Sequence, residues 1–200
     1  MRHFINKIIL GICMTFPLIA FSQVRYGVKG SFTYTNVSII HWESQSRKAF
    51  AIGGFAQIPL TNDELFYFQP ELIYSLQGEK DKGQSHGQAI PVNVDYFQNY
   101  INIPLMFRAY FSEAESEFFA EIGPELGFLV YQKNKDLDIK NYYAKPSTFN
   151  LSVGLGAGFS LLRKYEISAR YNYGMTDTYK DYKGQNRTSV ATITLAYIFN

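Results

Sequence analysis

The chain is poor in the residues that carry nucleophilic and metal chemistry. Its 200 residues include one cysteine, Cys13, and three histidines. Cys13 lies in an N-terminal apolar segment, so we expect the exported protein to contain neither a disulfide nor a catalytic thiol. The sequence also has no zinc-ligand spacing and no glycine-rich phosphate-binding loop. We therefore predict that the protein has no cofactor and no metal centre.

Charge is scarce as well. Asp, Glu, Lys and Arg make up 18% of the residues, and the formal net charge is only +2. Proteins that bind nucleic acid normally carry a clear positive excess, because they neutralise phosphates. We therefore expect no nucleic-acid partner. Hydrophobic residues make up 46% of the chain and aromatic residues 17%, which suits one domain that is long enough to bury a core.

The N-terminus has the features of a cleavable signal peptide. Arg2 and Lys7 precede the apolar run IILGICMTFPLIAF, and small residues follow where a signal peptidase would cut. The run contains Pro17 and is short for a transmembrane helix. We predict that residues 1–22 are a signal peptide and that residues 23–200 form the mature domain.

Beyond residue 23, eight segments have apolar residues at every second position, and no segment has a helical period. The stretch EFFAEIGPELGFLV (117–130) shows the pattern well. Its apolar residues from Phe118 to Val130 share one parity, and the other parity carries Glu121 and Glu125. Such alternation is typical of β-strands with two different faces, so we predict an all-β protein.

The connections between these segments alternate in length. Long connections lie near residues 38–47, 80–91, 132–147 and 176–186, and short ones at 61–64, 112–116 and 162–164. This pattern predicts an eight-stranded antiparallel up-and-down transmembrane β-barrel of the outer membrane. Closure removes the sheet edges that lipid would not tolerate. We expect the long loops to face the cell exterior and both termini to face the periplasm.

Alternation alone would also suit a soluble barrel, such as a lipocalin, with its apolar face inside. Two observations favour an apolar face towards lipid. The apolar parity contains no Asp, Glu, Lys or Arg, and a Lys or Arg at the bilayer midplane costs about 2–4 kcal/mol. The polar parity of residues 149–161 suits a narrow lumen, because it consists of Asn150, Ser152, Gly154, Gly156, Gly158 and Ser160.

The polar parity places charges of both signs inside the predicted barrel. Its members are Arg25, Lys29, Arg108, Arg170, Glu71, Glu121, Glu125 and Glu166. Unpaired buried charge is costly, so we expect these residues to pair in a structural lumenal network. A proton or ion relay is the functional alternative.

Three prolines fall inside the predicted strands. Pro70, Pro104 and Pro124 cannot donate a ladder hydrogen bond, and a closed barrel has no edge strand to accommodate them. We expect bulges or local distortion at these positions.

The long loops hold the remaining candidates. They carry more Lys and Arg than Asp and Glu, which is consistent with contact to membrane lipid and anionic lipopolysaccharide. His41 lies near Glu43 and Ser44, and Ser85 precedes His86. A lipid hydrolase at the membrane rim would need Ser, His and an acid together, but these residues are ordinary in polar loops.

Several stretches across the mature chain resemble the PorT-like outer-membrane β-barrel family. They are GGFAQIPL (53–60), FQPELIYSLQGEK (68–80), YINIPLMFRAYF (100–111), AEIGPELGFLV (120–130), VGLGAGFSL (153–161) and ISARYNYGMTD (167–177). The resemblance implies an eight-stranded outer-membrane barrel with no catalytic residues to carry over. It also implies, for some members, a link to protein secretion across the outer membrane.

These observations favour a non-enzymatic integral outer-membrane protein. The leading hypothesis is a scaffold or accessory that binds a protein of a secretion or envelope complex through its extracellular loops. A narrow small-solute channel and, behind it, a membrane-rim lipid hydrolase are the alternatives.

Overall fold

Each alternating segment forms a β-strand in the computed structural model. The strands are β1 (Arg25–Val37), β2 (Gln45–Pro59), β3 (Phe66–Gln84), β4 (Pro91–Tyr110), β5 (Glu117–Asn134), β6 (Phe149–Leu161), β7 (Tyr165–Gly174) and β8 (Thr188–Phe199). The structure describes residues 24–37, 45–84, 91–134, 147–177 and 187–199. The predicted signal peptide lies outside these residues. Within them, no helix has the length and apolar character needed to cross a membrane.

The eight strands close into one barrel. Each strand pairs antiparallel with the next, and β1 pairs with β8 through contacts such as Tyr26 opposite Phe199. The predicted up-and-down topology is therefore confirmed. Closure leaves no unpaired sheet edge among these strands.

The two faces of every strand differ as the alternation predicts. Outward side chains are apolar and remain exposed in the isolated chain: Ile52 is 69% exposed, Leu155 63% and Leu195 64%. A water-soluble barrel would not expose a continuous apolar belt of this kind. Inward positions are buried and mostly polar. The apolar face is thus the lipid-facing face, and the polar face lines the lumen.

The β3–β4 hairpin is longer than the sequence predicts. Residues 80–91 were expected to form a connection, but the ladder continues from Gly78 opposite Phe97 to Gln84 opposite Pro91. The β3 arm of this extension, GEKDKGQ, has no apolar parity, because a strand that has left the lipid no longer needs one. β3 has 19 residues and β4 has 20, about twice the 9–11 that cross a bilayer. The hairpin therefore extends beyond the membrane at the end with the long connections, which is the predicted extracellular side.

The three strand prolines interrupt pairing without shifting it. The β2–β3 register is the same on both sides of the gap at Pro70, and the β3–β4 register is the same on both sides of the gap at Pro104. The expected bulges are therefore not at the prolines. The register shifts lie near residues 46–51 and 99–100. Beside Pro124 the backbones approach closely, and a Cβ at Gly123 would lie 2.1 Å from the Leu105 carbonyl oxygen.

Arg163 joins the three short turns at the opposite end of the barrel, which is the predicted periplasmic end. Leu162 and Arg163 both have positive φ values, 55° and 49°, in a tight turn closed by a 3.1 Å hydrogen bond from Lys164 N–H to Leu161 O. Residues with side chains adopt this conformation at a cost. The Arg163 guanidinium offsets it by donating to the backbone oxygens of Glu64 (3.0 Å) and Ser112 (3.2 Å).

The β2–β3 turn has its own local order. The Asp63 carboxylate accepts a hydrogen bond from the Thr61 hydroxyl and a 3.1 Å bond from the Leu65 backbone N–H. These bonds favour the charged form, so they hold the pKa of the Asp63 carboxyl below its usual value.

We predict that Leu155→Arg destabilises the barrel in lipid by about 2–4 kcal/mol, because it places a cation near the middle of the apolar belt. Urea titration in lipid vesicles, followed by heat-modifiable gel mobility, measures the effect. Leu60→Arg is the matched control. Leu60 lies in a periplasmic turn, where the same change should cost about 0–1 kcal/mol. Equal costs at the two positions would contradict the assignment of the lipid face.

Candidate functional site

A chain of alternating charges crosses the lumen. Three cations and three carboxylates from five strands follow one another in the order Lys29, Glu71, Arg170, Glu121, Arg108 and Glu166. We call this set the lumenal ion-pair network. Its charges balance, and each member is at least nine-tenths buried.

Arg170 of β7 holds the middle of the network. Its Nη2 lies 2.8 Å from Glu71 Oε1 and 2.6 Å from Glu121 Oε1. Its Nη1 donates a further 3.1 Å hydrogen bond to Glu71 Oε2. Lys29 Nζ approaches Glu71 Oε1 from β1 at 2.8 Å. Arg170 thus joins carboxylates from two strands that are not neighbours in the sheet.

Arg108 extends the network towards the periplasmic end. Its Nη2 lies 2.7 Å from Glu121 Oε2, and its Nη1 donates to both Glu166 oxygens at 2.8 Å. The Tyr110 hydroxyl donates to Glu166 Oε1 at 2.9 Å. Because charged groups buried in a dry interior need several partners, this multiple bonding stabilises charges that would otherwise be costly.

Two amide side chains extend the hydrogen bonding of the lumenal ion-pair network. Gln57 Nε2 donates to Gln69 Oε1 at 2.9 Å, and Gln69 Nε2 donates to Glu71 Oε1 at 2.6 Å. Gln57 and Gln69 are both inaccessible to solvent. They link β2 to the ionic residues and fill the space between them.

Glycines on β6 leave the space that these side chains occupy. Gly156 lies between Glu121 of β5 and Arg170 of β7 in the sheet register. A Cβ at Gly156 would be 3.0 Å from Glu121 Oε1, and one at Gly158 would be 2.5 Å from Cζ of Phe119. The glycine-rich lumenal face of β6 is therefore what lets larger side chains from both neighbouring strands meet over it.

Aromatic rings close the periplasmic side of the network. Tyr67, Tyr110 and Phe119 form a buried cluster with ring centroids 5.5 and 5.6 Å apart. The Arg108 guanidinium lies 3.9 Å from the centroid of Phe119, and that of Arg163 lies 4.7 Å from Tyr110. Such stacking is favourable for arginine. We call the three rings the aromatic floor.

The sequence did not identify this floor. Tyr67, Tyr110 and Phe119 occupy the polar parity of their strands, where the alternation predicts polar residues. The sequence does contain one usable signal, which is an aromatic residue at a lumenal position beside a short turn. Such a residue indicates that a large side chain fills the lumen at that point.

Two of the eight predicted lumenal charges lie apart from the network. The Arg25 guanidinium stacks on Tyr67 at 4.6 Å, and its Nε and Nη2 have no hydrogen-bond partner among the described residues. Glu125 accepts a 2.9 Å hydrogen bond from Asn172 Nδ2. Among the described residues, no Lys or Arg lies within ion-pair distance of it.

A further buried carboxylate lies beside a short turn. Glu117 begins β5 and is 4% exposed. It pairs with Arg163, and its Oε2 accepts a 2.8 Å hydrogen bond from the Ser112 backbone N–H. The pair forms because Arg163 needs a counter-charge where the turns converge.

The loop candidates cannot be placed in this arrangement. His41, Glu43, Ser44, Ser85 and His86 lie outside the described residues. Within the described part of the chain, no three His, Cys, Asp or Glu side chains come together as ligands for a metal ion.

The network is arranged to hold charge in place. Each carboxylate in it lies within hydrogen-bond distance of a cation, so opposite charges are paired in the lumen. Its bulk spans the barrel from β1 to β5 and β7, with the aromatic floor beneath. This continuous packing favours a structural plug.

We predict that Glu121→Gln destabilises the barrel by about 3–5 kcal/mol, because it leaves three buried cations with two carboxylates. The melting temperature in detergent, followed by heat-modifiable mobility, reports the loss. Glu115→Gln removes an exposed carboxylate from the neighbouring turn and should leave the melting temperature unchanged. A Glu121→Gln barrel as heat-resistant as the wild type would show that the pairs contribute no stability.

Solved structures with a similar fold come from the outer membrane. The outer membrane enzyme PagL aligns with a TM-score of 0.53 and 10% identity, over 84% of this chain and 98% of that one. OprG from Pseudomonas aeruginosa aligns with a TM-score of 0.50 and 11% identity, over 88% of this chain and 96% of that one. At such identities the likeness concerns the fold, and a fold alone does not assign an activity. No curated protein matches the chain in sequence.

A sequence-family comparison is more direct. Residues 16–180 match the outer membrane protein beta-barrel domain, and this range covers most of the chain. It agrees with the closed eight-stranded barrel and with its lipid-facing apolar belt. The chain is therefore an outer-membrane protein that belongs to the outer membrane protein beta-barrel domain family.

Proposed function

We propose that this barrel is a non-enzymatic membrane-embedded scaffold whose lumen is closed and whose extracellular side binds a protein of the cell envelope. The observation that carries the proposal is the lumenal ion-pair network. A barrel whose interior is filled with paired charged side chains is rigid and has no room for a wide pore.

The packing inside the barrel supports a closed lumen. Gln57, Gln69 and Phe119 are inaccessible to solvent, and Arg108 is 3% exposed. On the extracellular side of the network, the described part of the lumen contains two small cavities of about 10 and about 30 Å³. A single water needs roughly 10–15 Å³, so these spaces suit one or two waters rather than a passing solute.

The long β3–β4 hairpin supports an extracellular binding role. It continues as a paired ribbon beyond the length that a bilayer requires. A rigid projection of this kind can present a binding surface at low cost in conformational entropy. Its outer sequence, GEKDKGQ, is polar and carries both signs of charge, which suits a hydrated contact with another protein.

Three finer assignments belong to the same proposal. The stretches that resemble PorT-like barrels support a role as an accessory in secretion or envelope assembly. The outer-membrane location agrees with residues 1–22 acting as a cleaved signal peptide. The basic excess of the long loops supports contact with lipopolysaccharide.

Crosslinking on intact cells tests the partner. We expect one envelope protein to co-purify with the wild-type barrel in fixed proportion. The test variant replaces residues 80–95 with Asn-Gly, a tight hairpin turn that keeps Glu79 opposite Tyr96. It should lose the partner while keeping its heat-modifiable mobility. Recovery of the wild-type barrel alone would contradict the scaffold proposal.

Planar-bilayer recording separates the scaffold from a channel. We expect no steady single-channel steps from the refolded wild-type barrel, because the network and the aromatic floor fill the lumen. The Arg108→Ser/Glu166→Ser double variant removes one cation and one carboxylate, so charge stays balanced while space opens. Steps from this variant would show that the assay detects an opened lumen. Steady steps from the wild type would favour the small-solute channel.

A further inference from the structure

A polar chamber lies between the lumenal ion-pair network and the extracellular end of the barrel. The two small cavities share Glu125, Asn102 and Asn172, and the larger one is also lined by Ser31 and Thr33. Most of these side chains offer oxygen atoms. Lys29 and Arg170 of the network line the larger cavity on the periplasmic side.

Glu125 lies outside the lumenal ion-pair network, and no cation of that network is left to pair with its negative charge. The three cations of the network already face three carboxylates, whereas Glu125 is 8% exposed and its one described hydrogen bond comes from a neutral amide. A buried carboxylate without a counter-charge is strongly unfavourable. Lys29 and Arg170 line the same cavity but are already paired with Glu71 and Glu121. One more positive charge in the chamber would therefore stabilise Glu125.

Buried oxygens in the same chamber also lack partners. Asn172 Oδ1 and Thr33 Oγ1 have no hydrogen-bond partner among the described residues. Both side chains line the larger cavity, and their residues are 5% and 1% exposed. Buried polar atoms are rarely left unsatisfied, so these two oxygens are available, together with the Glu125 carboxylate, to bind a ligand in the cavity.

We propose that Glu125, Asn172 and the surrounding oxygens bind one monovalent inorganic cation, Na⁺ or K⁺, inside the lumen. Carboxylate, amide and hydroxyl oxygens are the ligands that hard cations prefer. A single positive charge balances Glu125. A divalent ion would leave an excess positive charge beside Lys29 and Arg170.

The size of the chamber agrees with this choice. About 30 Å³ accommodates a small ion with one water, and it excludes an organic ammonium ion. The cation would hold the side chains on the extracellular side of the network in place, as the network does for the side chains nearer the periplasmic end. This role does not depend on the scaffold proposal, because a structural cation fits an accessory and a channel equally well.

Thermal stability in different salts tests the proposal. The refolded full barrel is melted in detergent at one pH and one ionic strength, in NaCl, KCl or N-methyl-D-glucamine chloride. We expect the melting temperature to be about 5 °C higher in Na⁺ or K⁺ than in the bulky cation, as binding to the folded state requires. Glu125→Gln should abolish the difference, whereas Glu115→Gln, an exposed carboxylate, should keep it.

Sodium-23 relaxation supplies a direct readout. The wild-type barrel should broaden the sodium signal in a way that K⁺ competes away, and Glu125→Gln should not. If Glu125→Gln does not refold, Asn172→Ala retains the carboxylate and should bind Na⁺ at least tenfold more weakly.

Three results would overturn the cation assignment. One is the same melting temperature in all three salts. Another is a salt difference that persists in Glu125→Gln, which would place the ion elsewhere. The third is stability that rises as pH falls with no cation dependence. In that case a proton on Glu125, which faces Lys29, Arg170 and Glu71, would supply the missing charge.

Discussion

Burial of charge inside a narrow closed sheet is the constraint on which the rest of this structure depends. Every ionised side chain in the lumen needs an opposite charge or several hydrogen bonds, because water is largely excluded. The partners of Arg108 and Arg170 come from β3, β5 and β7. Arg108 and Glu121 can pair within the β4–β5 hairpin, but the strands must close in one register before all of these charges are satisfied. The network therefore couples barrel closure to lumen packing.

The remaining features of the lumen follow from making room for that network and sealing it. Because Gly156 and Gly158 have no side chains, Glu121, Arg170 and Phe119 can occupy the space beside them. Towards the periplasm, aromatic rings fill the narrowing lumen and Arg163 holds the turns together. Towards the exterior, small polar side chains surround a chamber instead of filling it. The barrel is thus packed solidly at one end and polar at the other.

Sequence periodicity accounts for the strands and for their two faces, since lipid on one side and a narrow lumen on the other demand opposite chemistry at successive residues. It is less informative wherever that demand is absent. Beyond the bilayer, the outer part of β3 has no apolar parity, so the sequence predicts a connection there. At the periplasmic end, Tyr67 and Phe119 face inward because bulk is needed there. Nothing in the sequence near Glu117 reveals that Arg163 approaches it.

The sequence by itself determined the number of strands, the side of each strand that meets lipid and the set of charges that enter the lumen. These properties depend on a period of two along one chain. The tertiary structure decided which charges meet. It joined six of the eight into one network, stacked Arg25 on Tyr67 and left Glu125 beside Asn172. Those contacts depend on strand stagger, closure and the space left by glycines, which are properties of the assembled barrel and leave no trace in the periodicity of a single strand.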